Sequence, residues 1–80
     1  MILRLPAAKG PYSRSAFYKR IQQGLMTPGV PLSARAVGWP ADECAAIEKA
    51  IIAGLDDDEI RALVKRLVAA RATADRRAQP

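Results

Sequence analysis

The stretch Ser13-Arg14-Ser15-Ala16-Phe17-Tyr18-Lys19-Arg20-Ile21-Gln22-Gln23-Gly24 decides how this chain is read. Serine is favoured before a helix because its hydroxyl accepts a hydrogen bond from a backbone N–H that the first turn leaves unpaired. Phe17 and Ile21 follow four residues apart and Leu25 continues the row, which makes one face apolar. Gly24 suits the residue just past a helix end. The spacing predicts a helix over Ser13–Gln23. Its other faces carry Arg14, Ser15, Tyr18, Lys19 and Gln22, which offer guanidinium, hydroxyl, phenol, ammonium and amide groups. An apolar back and a cationic, hydrogen-bonding front suit a helix that seats on its own domain and reads nucleic acid with the other side.

Toward the N-terminus, Leu3–Lys9 predicts a first helical element of a turn or two, with Pro6 in its first turn and Gly10-Pro11 ending it. Helix, tight turn and capped helix form the order of a helix-turn-helix. Toward the C-terminus, Pro28, Gly29, Pro31 and Gly38 exclude a helix. Val30-Pro31-Leu32 and Ala36-Val37-Gly38-Trp39 predict a small hairpin around Ser33-Ala34-Arg35, with Pro31 on an edge strand and Arg35 near the tip. Trp39 is expected in the core, anchoring the hairpin.

Two more helices are expected. Pro40–Ala53 has Asp42 and Glu43 complementing its N-terminal dipole, with Cys44, Ile47 and Ile51 toward the core and Gly54 as the stop. The next helix, 56–71, opens at Asp56, which stands three residues before Glu59 as in a capping box. Ile60, Leu63, Val64, Leu67 and Val68 form its stripe, and Arg61, Lys65, Arg66 and Arg71 are expected off it. The expected fold is mainly α with a small β-hairpin: a winged helix-turn-helix with an extra C-terminal helix, one domain over residues 1–71 and a flexible tail over 72–80.

Composition narrows function by exclusion. Eighty residues make one domain, and half of them are apolar, enough for a packed core. Cys44 is the single cysteine and there is no histidine. A disulfide within the chain, a Cys/His zinc site and a Ser-His-Asp or Cys-His pair are therefore excluded. The acids Asp56-Asp57-Asp58-Glu59 point around a helix and do not converge on one ion. With no paired carboxylates at catalytic spacing and no glycine-rich phosphate loop, the chain is expected to be no enzyme and to need no cofactor or metal. No apolar run has the length of a membrane span, and Met1–Pro6 is too short for a signal peptide, so a cytoplasmic protein without a membrane partner is expected.

The net charge of +5 is unevenly placed. Residues 1–40 hold Arg4, Lys9, Arg14, Lys19, Arg20 and Arg35 and no acid, whereas all eight acids lie in residues 41–80. A half of one sign sets up a directed positive field, whose usual partners are nucleic acid or an anionic membrane surface.

The runs Leu5-Pro6, Ser13-Arg14-Ser15-Ala16-Phe17-Tyr18-Lys19-Arg20-Ile21, Gly24 and Ala34-Arg35-Ala36-Val37-Gly38-Trp39 resemble the AlpA family of phage and mobile-element regulators. The resemblance covers roughly residues 3–53. It implies a compact MerR-like winged helix that binds DNA as a transcriptional regulator, as an excisionase (recombination directionality factor) beside an integrase, or as both. Ser13, Arg14, Ser15, Tyr18 and Arg20 fall on the family's recognition-helix motif, and Arg35 on its wing arginine. The chain departs from the family in a shorter segment between Pro6 and Ser13, in Pro40 after the tryptophan, and in the added last helix.

The expected DNA-contacting set is Ser13, Arg14, Ser15, Tyr18, Lys19, Arg20 and Gln22 on the helix and Ser33 and Arg35 on the wing. Arg14 can take guanine bidentately, Tyr18 and Lys19 suit phosphates, and Arg35 can enter a minor groove or hold a phosphate. Partners are then double-stranded DNA, an integrase, and further copies of the chain on DNA. A second class of function remains open at this point: a protein-interaction module that docks a partner helix on the Ile60–Val68 stripe.

Overall fold

The computed structural model describes residues 1–5 and 7–78, excepting the side chains of 72–78. Pro6, expected in a first helical turn, lies outside the described residues. The elements are β1 (Ile2–Leu3), a 3-10 turn (Ala7–Lys9), α1 (Arg14–Gln22), β2 (Val30–Ser33), β3 (Ala36–Pro40), α2 (Ala41–Ile52) and α3 (Asp57–Ala78). Among the described residues, three α-helices and one antiparallel three-stranded sheet make a mixed fold rather than helices with a lone hairpin.

The third strand was not expected. Strand order is β1-β3-β2, with Ile2 opposite Pro40 and Leu3 opposite Trp39. Ala41 N–H also donates to Met1 O at 2.8 Å. A two-residue strand has no periodicity to read, so only its pairing reveals it. Gly38 makes room for it: a Cβ there would sit 2.3 Å from Ile2 Cγ2. The expected first helix shrinks accordingly to the Ala7–Lys9 turn.

The hairpin forms where expected, and Pro31 does lie on an edge strand. Val30 pairs with Gly38 and Pro31 with Val37, but Ser33 pairs with Ala36, which leaves Leu32 as an extra residue on β2. This bulge bends the strand just before the tip.

α1 is built as its sequence dictates. Ser13 Oγ accepts from Ala16 N–H at 3.1 Å, Phe17 is buried, and Gly24 takes φ +77° beyond the last turn. α2 packs through a row turned slightly from the expected one: Ile47 is core as expected and Cys44 packs against it, but Ile51 is not buried. Its buried residues are Glu43, Ile47 and Ala50, whereas Cys44 is half-buried and Ile51 is exposed. Rows of this spacing lie side by side on one helix, and the neighbouring elements select which becomes core.

α3 is capped by Asp56, whose carboxylate accepts from Glu59 N–H at 2.8 Å. The helix continues through Ala78, past the expected end at Arg71. Ala72-Thr73-Ala74-Asp75-Arg76-Arg77-Ala78 contains no glycine or proline to stop it, and low apolar content alone does not end a helix. Of the tail expected over 72–80, residues 79 and 80 lie outside the described residues.

Ile60 and Val64 are buried and Leu63 and Leu67 pack on the core, so the stripe expected to be core or docking surface is turned largely inward. The core joins them to Phe17, Leu25, Met26, Trp39 and Ile47. Arg71 is not off the stripe; it continues the row Ile60, Val64, Leu67 by one more turn. Its guanidinium donates to both oxygens of the buried Glu43, from Nε to Oε2 at 2.7 Å, and to Pro28 O at 2.9 Å. Among the described residues, no helix is long and apolar enough to cross a membrane.

Candidate nucleic-acid interface

The polar front of α1 faces solvent. Ser13, Arg14, Ser15, Tyr18, Lys19 and Gln22 are all exposed. Ser33 and Arg35 are exposed as well, with Arg35 in the two-residue turn between β2 and β3. Among the described residues the ion pairs are Arg61–Asp58 and Arg71–Glu43, so Arg14, Lys19 and Arg35 pair with no carboxylate there.

Arg14 stands at the first position of α1, whose first turn holds no acid. A cation beside the positive end of the helix dipole costs about 0.3–1 kcal/mol, and the Ser13 cap offsets a penalty of that size. The result is a helix start with an exposed arginine at a first turn that carries no acid, an arrangement suited to an anion.

Aromatic packing fixes α1 against the hairpin. Phe17 meets Trp39 edge-to-face with ring centroids 4.9 Å apart. Tyr18 adds a looser edge contact to Trp39 at 6.5 Å while remaining 43% exposed, so its ring both packs on the hairpin and stays available. Trp39 Nε1–H donates to Thr27 O at 3.0 Å, which ties β3 to the loop leaving α1. From behind, Arg61 Nε–H donates to Gln23 O at 2.9 Å, so α3 holds the C-terminal end of α1. The helix and the hairpin are therefore carried on one rigid frame.

Arg20 separates from the expected set. It is half-buried, its guanidinium lies 4.9 Å from the Tyr12 ring centroid, and it donates to Leu25 O at 3.4 Å. It fastens the turn before α1 to the loop after it and does not join the exposed front. Its place on the family motif does not distinguish this role from DNA contact. Arg61 and Arg71 were both expected off the apolar stripe; Arg61 is off it and partly exposed, Arg71 continues it, and both position α1 or its loop. Arg71 carries a legible signal in its spacing from Leu67 and Val64. Arg61 carries none, because its acceptor is a backbone carbonyl 38 positions away.

Among the described residues, no group of three or more Cys, Asp or Glu is placed to hold a metal ion. Burial, with the neighbouring Glu43 charge adding to it, raises the pKa of the Cys44 thiol and disfavours the thiolate. Comparison of the chain with family models, with curated proteins and with solved structures found no match.

Proposed function

We propose that this chain binds double-stranded DNA, with α1 as a recognition helix in the major groove and the β2–β3 hairpin as a wing, the working arrangement of a winged helix-turn-helix. The observation that carries the reading is the joint placement of an exposed, carboxylate-free front on α1 and a cationic hairpin tip, coupled through the Phe17–Trp39 contact. B-DNA's major groove admits one helix, and a wing beside it can reach the flanking backbone or minor groove. In this reading Arg14 and Ser15 reach base edges, Tyr18, Lys19 and Gln22 hold the backbone, and Ser33 and Arg35 contact DNA from the wing. Arg20 serves the frame.

The resemblance of Ser13–Ile21 and Ala34–Trp39 to AlpA proteins supports a narrower role: a bacterial mobile-element factor acting in the cytoplasm as regulator, as excisionase beside an integrase, or as both. One small domain covers few base pairs, so tight binding calls for several copies on neighbouring sites.

Fluorescence anisotropy of labelled duplexes across a salt series tests the DNA reading. Affinity falls steeply with salt if phosphates are neutralised, because bound counterions are released. Binding indifferent to salt, or none on any duplex, contradicts it. An integrase and attachment-site reporter then separates the roles, since excision yield rises with this protein only if it directs recombination.

A further inference from the structure

A cavity of 240 Å³ opens between the Ala7–Lys9 turn and α2, and neither Arg14 nor Lys19 lines it. Its floor is core: Phe17, Met26 and Ile47 line it and are all buried. Its α2 wall is a row that core packing covers only in part. α2 buries Glu43, Ile47 and Ala50, while Cys44 and Ile51 border the cavity. The row Cys44, Ile47 and Ile51 thus runs from the core to the cavity: Ile47 is buried, Cys44 packs partly on the core, and Ile51 stands exposed at the cavity's edge.

The charged groups around it are unequal. Lys9 and Arg20 line it against one acid, Glu48. Neighbours hold both cations in place: Lys9 Nζ donates to Tyr12 O at 2.9 Å, and Arg20 rests on the Tyr12 ring. An ammonium has three donors and a guanidinium five, so each keeps donors to spare. An apolar floor with two cations held at its edge is the form of a site for an amphipathic acid.

We propose that this cavity binds a small apolar monocarboxylate, its tail against Phe17, Ile47 and Ile51 and its carboxylate on Lys9 and Arg20. An apolar cavity of about 150 Å³ accommodates benzene, so this one has room for a tail of roughly eight carbons. Charge-assisted hydrogen bonds to Lys9 and Arg20 then favour the acid over a neutral molecule of the same shape. The site stands independently of the DNA reading, because the helix and wing residues to which that reading gives DNA contacts (Arg14, Ser15, Tyr18, Lys19, Gln22, Ser33 and Arg35) do not line it, and Arg20, which does, serves the frame there.

Equilibrium dialysis of the full chain with octanoate and with octanamide, without DNA, tests it. Octanoate should bind one saturable site about tenfold more tightly than octanamide, the difference expected for one charge-assisted hydrogen bond. Lys9→Gln should reduce that preference, and saturating octanoate should slow alkylation of Cys44 by iodoacetamide. The proposal is overturned by the absence of saturable octanoate binding, by equal affinity for the two molecules, by a preference unchanged in Lys9→Gln, or by an alkylation rate that octanoate leaves unaltered.

Discussion

Arg71 and Glu43 meet inside the domain, with Nε–H of Arg71 donating to Oε2 of Glu43 at 2.7 Å across 28 positions of sequence. The Glu43 side chain is only 5% exposed, so the Arg71 guanidinium takes the place that water has around an exposed carboxylate. The same guanidinium holds Pro28 O, so one side chain joins α3, the start of α2 and the loop after α1.

Removing one member of such a pair leaves a buried charge uncompensated, at a cost of about 3–5 kcal/mol. Arg71→Ala should lose that much stability in urea denaturation, a large share of what a small domain has. Replacing both partners with apolar residues, Glu43→Leu with Arg71→Met, should cost much less than the single change. Equal losses in the two variants would mean that packing, not charge, is what Arg71 supplies.

Thr27 presents the opposite case. It is fully buried and its Oγ1 has no hydrogen-bond partner, although its carbonyl holds Trp39. Thr27→Val keeps the shape and removes the orphan hydroxyl, so it should raise stability by about 1 kcal/mol. Thermal unfolding of the variant reads this directly; a lower midpoint would show that the hydroxyl is satisfied in solution.

Ser13→Ala should cost about 1 kcal/mol of stability by releasing Ala16 N–H, and Ser13→Gly only a few tenths. Denaturant midpoints of the two variants provide the check. A loss in DNA affinity well beyond that of stability would place Ser13 on the DNA itself.

Much of this fold was legible because the relevant signals are local. Ser13, Phe17, Ile21 and Gly24 mark α1, Pro31 and Gly38 mark the hairpin, and Asp56 opens α3. What stayed hidden is pairing at a distance. β1 exists only because Ile2 and Leu3 find Pro40 and Trp39, and Gly38 leaves the space they need. The inner row of α2 was hidden in the same way, because Glu43 looks like a dipole partner until Arg71 is beside it. For the candidate interface, exposure agreed with the polar pattern at Arg14, Ser15, Tyr18, Lys19 and Gln22 but not at Arg20. Nothing local distinguishes an arginine that faces solvent from one resting on Tyr12.

That distinction predicts a split among the basic residues. Arg14→Ala should weaken duplex binding by about 1–3 kcal/mol and relax sequence choice, whereas Arg35→Ala should weaken different sequences more evenly. Arg20→Ala should lower thermal stability instead, because nothing then bridges the Tyr12 ring and Leu25 O. Competition binding on a randomised duplex pool, alongside melting curves, separates the three outcomes.

The measurement that bears most directly on the DNA reading is the salt slope of duplex binding for the native chain and for the triple variant Arg14→Ala, Lys19→Ala, Arg35→Ala. Each phosphate that is no longer neutralised should flatten the slope by about 0.9. The triple variant should therefore show a clearly flatter slope and weaker binding while remaining folded. A folded triple variant with the native slope and affinity would contradict the assignment of this face to DNA.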